Sequence, residues 1–322
     1  MRPMNPYPLT RRQLLLSASA VGVASLADPF ASARTAGRRA PAAAAGTLTI
    51  GDLVVNRMGF GAMRLTGPGI WGEPKDAAEA RRVLRRAVEL GVDFIDTADA
   101  YGPEVSERLI KEALHPYPAG LVIATKGGNT RPGPDKWVPD GRPEHLREAC
   151  EGSLTRLKLE RIDLYQLHRI DSKVPVADSL GELARLQKEG KIRHIGVSQV
   201  SVDELAAARR IVPIVSVQNR YNAADRSSAD VLAVCERDRL AFIPWAPIAR
   251  GSADKLEADS GHPLEEVARA HGVSVLQAGL AWLLAKSPVM LPIPGTSSVT
   301  HLEEDIAAAR VRLTAAELVA LG

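Results

Sequence analysis

Residues 162–198 read IDLYQLHRIDSKVPVADSLGELARLQKEGKIRHIGVS, and their order decides the fold. An apolar run, Ile162–His168, gives way to a polar connector and then to an amphipathic stretch around Leu180, Leu183 and Ala184. Gly190 closes that stretch, and a second apolar run, Ile192–Ser198, follows at once. Run, helix and run in such short succession make a unit whose two strands lie parallel. The same alternation extends outward in both directions. Arg57–Met63, Val92–Asp96 and Leu121–Lys126 precede this unit, and Ile214–Asn219, Ala241–Pro247 and Met290–Gly295 follow it. Their Val, Ile and Leu content suits strands buried on both faces. Helix punctuation fills the gaps. Asp76 with Glu79 forms a start signal, Val83, Leu84, Ala87 and Val88 form a stripe, and Gly91 ends it. Ser201 with Glu204 and Thr314 with Glu317 repeat the start signal.

Eight strand–helix units in about 275 residues predict a single closed (β/α)8 TIM barrel, an α/β fold. An open doubly wound sheet is the rival. Gly59-Phe60-Gly61 does not favour it, because no third glycine follows and no helix opens there. Ahead of the first run, Thr47–Asn56 with a Gly51-Asp52 turn reads as a short β-hairpin. The domain expectation is therefore a signal segment over 1–33, a linker over 34–46 and the barrel over 47–322.

Apolar residues make up 45% of the 322-residue chain and charged residues 25%, which excludes disorder and a fibrous repeat. The net charge of +3 is unevenly placed. Residues 1–46 hold six Arg and one acid, leaving 35 basic and 37 acidic residues in the body. The body has no surplus of positive charge for a phosphate backbone, so nucleic acid is not an expected partner. Cys150 and Cys235 fall on apolar helical stripes and read as small buried side chains, not a disulfide framework.

At the N-terminus, Arg11-Arg12 precedes an apolar run from Leu14 to Ala27, with Ala31-Ser32-Ala33 beyond. This is a signal-peptide pattern, with cleavage expected after Ala33. A run of about 21 Å as helix is shorter than the ~30 Å hydrocarbon core, so no stable membrane span is expected. The string TRRQLL (10–15) resembles the twin-arginine (Tat) export signal. That resemblance implies the Tat machinery as a partner and an extracytoplasmic, periplasmic address, with the cytoplasm as the alternative if the signal is not used.

Barrel chemistry collects at the C-terminal strand ends. Those ends are Asp96, Lys126, His168, Ser198, Gln218-Asn219, Trp245 and Gly295-Thr296, with Tyr101 in the loop just after Asp96. No metal spacing occurs among the seven histidines, and neither HExxH nor GxSxG is present. The lysine on its own would also suit a Schiff-base aldolase.

Six segments together resemble the aldo-keto reductases: GVDFIDTADAYG (91–102), VIATKGG (122–128), DLYQLHRID (163–171), GKIRHIGVSQVS (190–201), VSVQNRYN (215–222) and IPGTSSVTHLEED (293–305). The resemblance spans nearly the whole barrel. It implies reduction of an aldehyde or ketone by hydride from NADP(H), with NAD(H) as the alternative, and a catalytic tetrad of Asp96, Tyr101, Lys126 and His168. The chemistry is coherent. A free tyrosine, with pKa near 10, is a poor acid at neutral pH. A cationic Lys126 would lower it, Asp96 would keep Lys126 charged, and His168 would orient the carbonyl.

On the cofactor side the resemblance assigns Ser198 and Gln218 to the carboxamide, with Asn219 as a weaker candidate, and Tyr221 to stacking on the nicotinamide. It places Trp245, Ala246, Pro247 and Ile248 along the pyrophosphate. It also places Gly295, Thr296 and Ser297, at the start of a helix near Val299, by the adenosine 2′-phosphate, with His301, Glu304 and Asp305 nearby. Many relatives carry Lys where this chain has Gly295, Arg where it has His301 and Asn where it has Asp305. Two fixed cations for a 2′-phosphate are thus missing.

Met63, Trp71 and Trp137 in the rim loops are the expected substrate walls, suited to a planar or apolar carbonyl. The first loop and VPIVSVQNRYN resemble the branch containing pyridoxal reductases, which makes pyridoxal a candidate. Other aldehydes, ketones and sugar lactols compete with it. A nucleotide-bound partner subunit that senses redox state is the non-catalytic alternative. A monomer or weak oligomer is expected.

Overall fold

The structure is a computed structural model describing residues 40–248 and 263–322, all within one compact unit, Gly37–Gly322. The expected signal segment lies outside the described residues. Part of the expected linker does not. Pro41–Ala45 form a short 3-10 helix, Ala42 is fully buried, and its amide donates to the carbonyl of Leu90. An alanine run shows no periodicity in sequence, yet methyl groups this small nest against a helix end.

The hairpin pairs β1 (Thr47–Ile50) with β2 (Leu53–Asn56), and Ile50 faces Leu53 across the turn. A seven-stranded parallel sheet follows: β3 (Phe60–Gly61), β4 (Phe94–Asp96), β5 (Val122–Gly127), β8 (Ile162–Leu167), β9 (Ile192–Ser198), β10 (Ile214–Gln218) and β11 (Ala241–Phe242). Between β5 and β8 the chain inserts an antiparallel hairpin, β6 (Asn129–Gly133) with β7 (Lys136–Pro139), where the sequence reads as loop.

The eighth stave is present but half-bonded. The amide of Leu291 donates to Phe242 at 2.9 Å, and the carbonyls of Pro292 and Pro294 accept from Gly59 and Gly61 at 3.0 and 3.1 Å. Residues 289–294 thus join β11 to β3 and close the barrel. The two prolines turn toward β3 without an N–H to give, so only half of that ladder can form.

Helices cover the outside: α1 (Ala77–Glu89), α2 (Val105–Leu114), α3 (Pro143–Leu157), α4 (Val176–Lys188), α5 (Val202–Ile211), α6 (Ala229–Asp238), α7 (Pro263–His271), α8 (Val275–Lys286), α9 (Val299–Ala307) and α10 (Ala315–Leu321). The expected start signals act as caps. Ser201 and Thr314 each exchange bonds with the glutamate three residues on, and Asp76 accepts from the amide of Glu79. Cys150 and Cys235 are buried, and burial pushes both thiols up to about 12.

Strand side chains divide between two cores. Phe94, Val122, Ala124, Leu164, Ala241, Ile243, Leu291 and Ile293 fill the barrel interior together with Ile50, Leu53 and Val55 of the hairpin. Their neighbours Ile95, Ile123, Tyr165 and Val217 face the helices. The hairpin therefore plugs the barrel from below. Its turn is fastened where Asp52 pairs with Arg193 and His194 of β9, each at 2.6 Å. Among the described residues no helix is long and apolar enough to cross a membrane.

Candidate active site

Period-two alternation carries the inward face of β4 from Phe94 to Asp96, that of β5 from Ala124 to Lys126, and that of β8 from Leu164 through Gln166 to His168. The polar groups thus arrive together at the C-terminal rim. Lys126 Nζ donates to Asp96 Oδ1 at 2.6 Å, to the Thr97 carbonyl at 2.7 Å and to the Tyr101 hydroxyl at 3.2 Å. An ammonium has three N–H bonds, and all three are used. Asp96 Oδ2 accepts from Gln218 at 2.8 Å and from Gln166 at 3.1 Å. The residues expected to form a tetrad do meet, with the ring centroids of Tyr101 and His168 at 5.8 Å. The loop that returns Tyr101 over the rim depends on Gly102. Its φ is 101°, and a Cβ there would lie 2.4 Å from Val105.

Lys126 is fully buried. Burial alone would lower its pKa, but Asp96 and Tyr101 together outweigh that effect and hold the ammonium above its ordinary value. Tyr101 departs from the expectation of a lowered phenol. Burial is the larger influence and raises it, Lys126 pulls it back, and Asp96 adds to the rise. The phenol loses the water that would solvate its anion, so it keeps its proton at neutral pH. Burial likewise holds His168 well below its ordinary value, with the charges of Lys126, Arg169 and Arg131 acting the same way, so the ring is neutral.

A cleft of about 640 Å³ opens above these groups. Met63, Trp137, Ser198, Gln218, Trp245, Ala246, Pro247, Ile248 and Gly295 line it beside Asp96, Tyr101 and His168. The residues fit an anionic dinucleotide. Arg64 and Arg169 bring positive charge to the cleft against Asp135, Arg220 being paired with Asp225 at 2.9 Å, and the buried Trp245 Nε1–H has no hydrogen-bond partner among the described residues. The Ser198 hydroxyl donates to the Gln218 carbonyl at 2.8 Å, leaving its lone pairs for a ligand.

Other expected residues lie elsewhere. Tyr221 does not reach the cleft. It is 1% exposed, parallel to Trp282 with centroids 5.9 Å apart, and edge-on to Phe242. The local sequence does not encode which way that ring turns, because its partner Trp282 is supplied by the distant α8. Asn219 spends its amide on Val200 and Ser228. Trp71 stands away from the cleft, its ring 5.8 Å from the Arg131 guanidinium.

Thr296 is buried, its hydroxyl oxygen accepting from the Ser298 amide, while Ser297, His301 and Glu304 are exposed and Asp305 is buried. The expected anion site at the start of α9 already holds a carboxylate, since Glu79 Oε1 accepts from the Val299 amide at 3.1 Å. A lysine could not simply replace Gly295, where a Cβ would lie 2.4 Å from the Gly61 carbonyl.

Sequence reasoning missed Gln166, although its position two residues before His168 on an inward face was the available signal. It also did not single out Arg131, whose guanidinium donates to main-chain carbonyls of three separate segments, at Gly69 and Ile70, at Ala100 and at Lys136.

The chain matches the Aldo/keto reductase family over residues 57–321. It is 53% identical over 273 residues to an uncharacterized oxidoreductase of Schizosaccharomyces pombe, covering 85% of this chain and 88% of that protein. It is 41% identical over 274 residues to pyridoxine 4-dehydrogenase of Escherichia coli, covering 83% of this chain and 94% of that one. An aldo-keto reductase from Klebsiella pneumoniae, solved in complex with NADPH, superposes with a TM-score of 0.71 at 26% identity, covering 85% and 93% of the two chains. The chain belongs to the aldo/keto reductase family and is an oxidoreductase.

Proposed function

We propose that this enzyme uses NADP(H) to reduce an aldehyde or ketone to an alcohol, with Tyr101 as the general acid. The observation that carries the reading is the contact of Lys126 Nζ with the Tyr101 hydroxyl at 3.2 Å beneath an open cleft. When bound, the nicotinamide supplies the hydride. Tyr101 gives its proton to the carbonyl oxygen as negative charge grows there, and the adjacent ammonium stabilises the phenolate left behind. Asp96 keeps that ammonium charged and aimed. Neutral His168 provides a hydrogen bond without competing as an acid. An aldolase reaction through Lys126 is disfavoured, because a fully hydrogen-bonded ammonium has no lone pair with which to attack.

Pyridoxal is the named candidate. Support comes from the 41% identity to a pyridoxine 4-dehydrogenase and from the flat indole of Trp137 at the cleft. The test is a panel of aldehydes, ketones and lactols, pyridoxal included, assayed with NADPH and with NADH. Tight NADPH binding without turnover of any of them would favour the redox-sensing subunit instead. We further propose that residues 1–33 direct twin-arginine export. N-terminal mass spectrometry of the mature protein tests this, with a first residue near Arg34 expected and an intact Met1 in the cytosol overturning it.

A further inference from the structure

We infer that Arg131 is a positioning residue that selects planar aromatic aldehydes by holding the Trp137 indole edge-on to Tyr101 and His168. This rests on the reductase reading above. Arg131 sits on β6, outside the catalytic cluster, and is 8% exposed. Its Nε donates to the Lys136 carbonyl at 2.8 Å, Nη1 to those of Ile70 and Ala100 at 3.0 Å each, and Nη2 to that of Gly69 at 2.8 Å. One side chain therefore ties the first rim loop, the Tyr101 loop and the β6–β7 hairpin together.

All four acceptors are main-chain carbonyls, so among the described residues no carboxylate quenches the guanidinium through a hydrogen bond. Its flat face rests on Trp137, with Cζ 3.7 Å from the ring centroid. A delocalised cation on an indole face is a favourable contact that only a planar group makes well.

Trp137 needs such a hold. It is 36% exposed on a two-stranded insertion with no further strand beside it among the described residues. Held as it is, its ring centroid lies 6.2 Å from that of Tyr101 and 5.9 Å from that of His168, tilted 82° and 68°. A flat ring entering toward Tyr101 meets an indole already in place, whereas a short aliphatic aldehyde gains little from it. Losing the guanidinium frees the indole, and the aromatic substrate must then order it on binding.

The test measures kcat and KM for pyridoxal and for propanal with NADPH in the wild type, R131M, R131K and W137L. The ratio of kcat/KM for pyridoxal over propanal is expected to fall about tenfold in R131M and W137L, chiefly through KM, the size of one good cation–aromatic contact. R131K is expected to behave as R131M does, because a point charge neither stacks nor spans four carbonyls. Equal losses for both substrates in R131M would reduce Arg131 to scaffolding and overturn the proposal. Should R131M not fold, an unchanged ratio in W137L overturns it equally.

A second readout needs no turnover. In protein labelled with 5-fluorotryptophan, the Trp137 resonance, identified by its loss in W137L, is expected to shift and broaden in R131K while those of Trp245 and Trp282, which do not touch Arg131, stay in place. An unmoved resonance overturns the proposal. A wild type inactive on both aldehydes would overturn the proposed selectivity, and only inactivity on the whole panel of carbonyls above would sink the reductase reading.

Discussion

At the scale of single residues, the site turns on how a buried lysine and a buried tyrosine share a proton economy. Replacing Lys126 with Met removes the charge that receives the phenolate. Turnover is expected to fall about 10²–10⁴-fold, while Kd for NADPH, read by fluorescence titration, stays within about threefold. Undiminished turnover would remove Lys126 from the mechanism. The pH profile has a definite sign. Reduction needs the neutral phenol, which burial favours, so kcat/KM for aldehyde is expected to stay flat from about pH 6 to about pH 9. Oxidation of the alcohol needs the phenolate and is expected to climb over the same range. Neutral His168 should add no inflection near its ordinary value, because its folded value lies well below it. Lys126 and His168 were legible because each stands at the end of an apolar strand, where a charged or titratable group has few structural reasons to stand, whereas Tyr101 lies in the loop beyond β4 and was legible only through the family resemblance. Tyr221 was not legible, since a ring after a strand looks the same whether it turns to the cleft or to Trp282.

At the scale of elements, the strand–helix alternation was readable throughout, and the exceptions have local causes. Pro292 and Pro294 leave the last stave with half a ladder on one side, although its apolar run read as a strand. The β6–β7 hairpin hid in a stretch rich in Gly and Pro, which reads as irregular loop. The start of α9 carries a consequence for cofactor choice. Glu79 of α1 places a carboxylate on the Val299 amide, where a 2′-phosphate would otherwise meet bare N–H groups. Glu79→Gln removes that charge, so Kd for NADPH is expected to tighten about three- to fivefold, the size of one charge at a helix end. Kd for NADH should change by less than about twofold. Equal changes for the two cofactors would show that Glu79 does not face the phosphate.

At the scale of the whole molecule, the barrel is closed below by the β1–β2 hairpin and open above at the cleft. Sequence indicated a hairpin at Thr47–Asn56 but not where it would dock, because docking depends on inward residues of strands far along the chain. Ile50 is fully buried among them. Ile50→Ala is expected to cost about 2–5 kcal/mol of unfolding free energy by urea titration, with KM for the preferred aldehyde unchanged. A shifted KM would mean that the plug is felt at the opposite mouth.

The carboxylate of Asp96 belongs to all three scales at once. From β4 it reaches Lys126 on β5, Gln166 on β8 and Gln218 on β10. The group that tunes the acid is also a stitch across the cylinder, drawing non-adjacent staves toward one point. A lineage could trade one substrate for another in the loops that hang outside this stitch with little effect on folding. Trading the reaction itself would mean re-lacing the barrel.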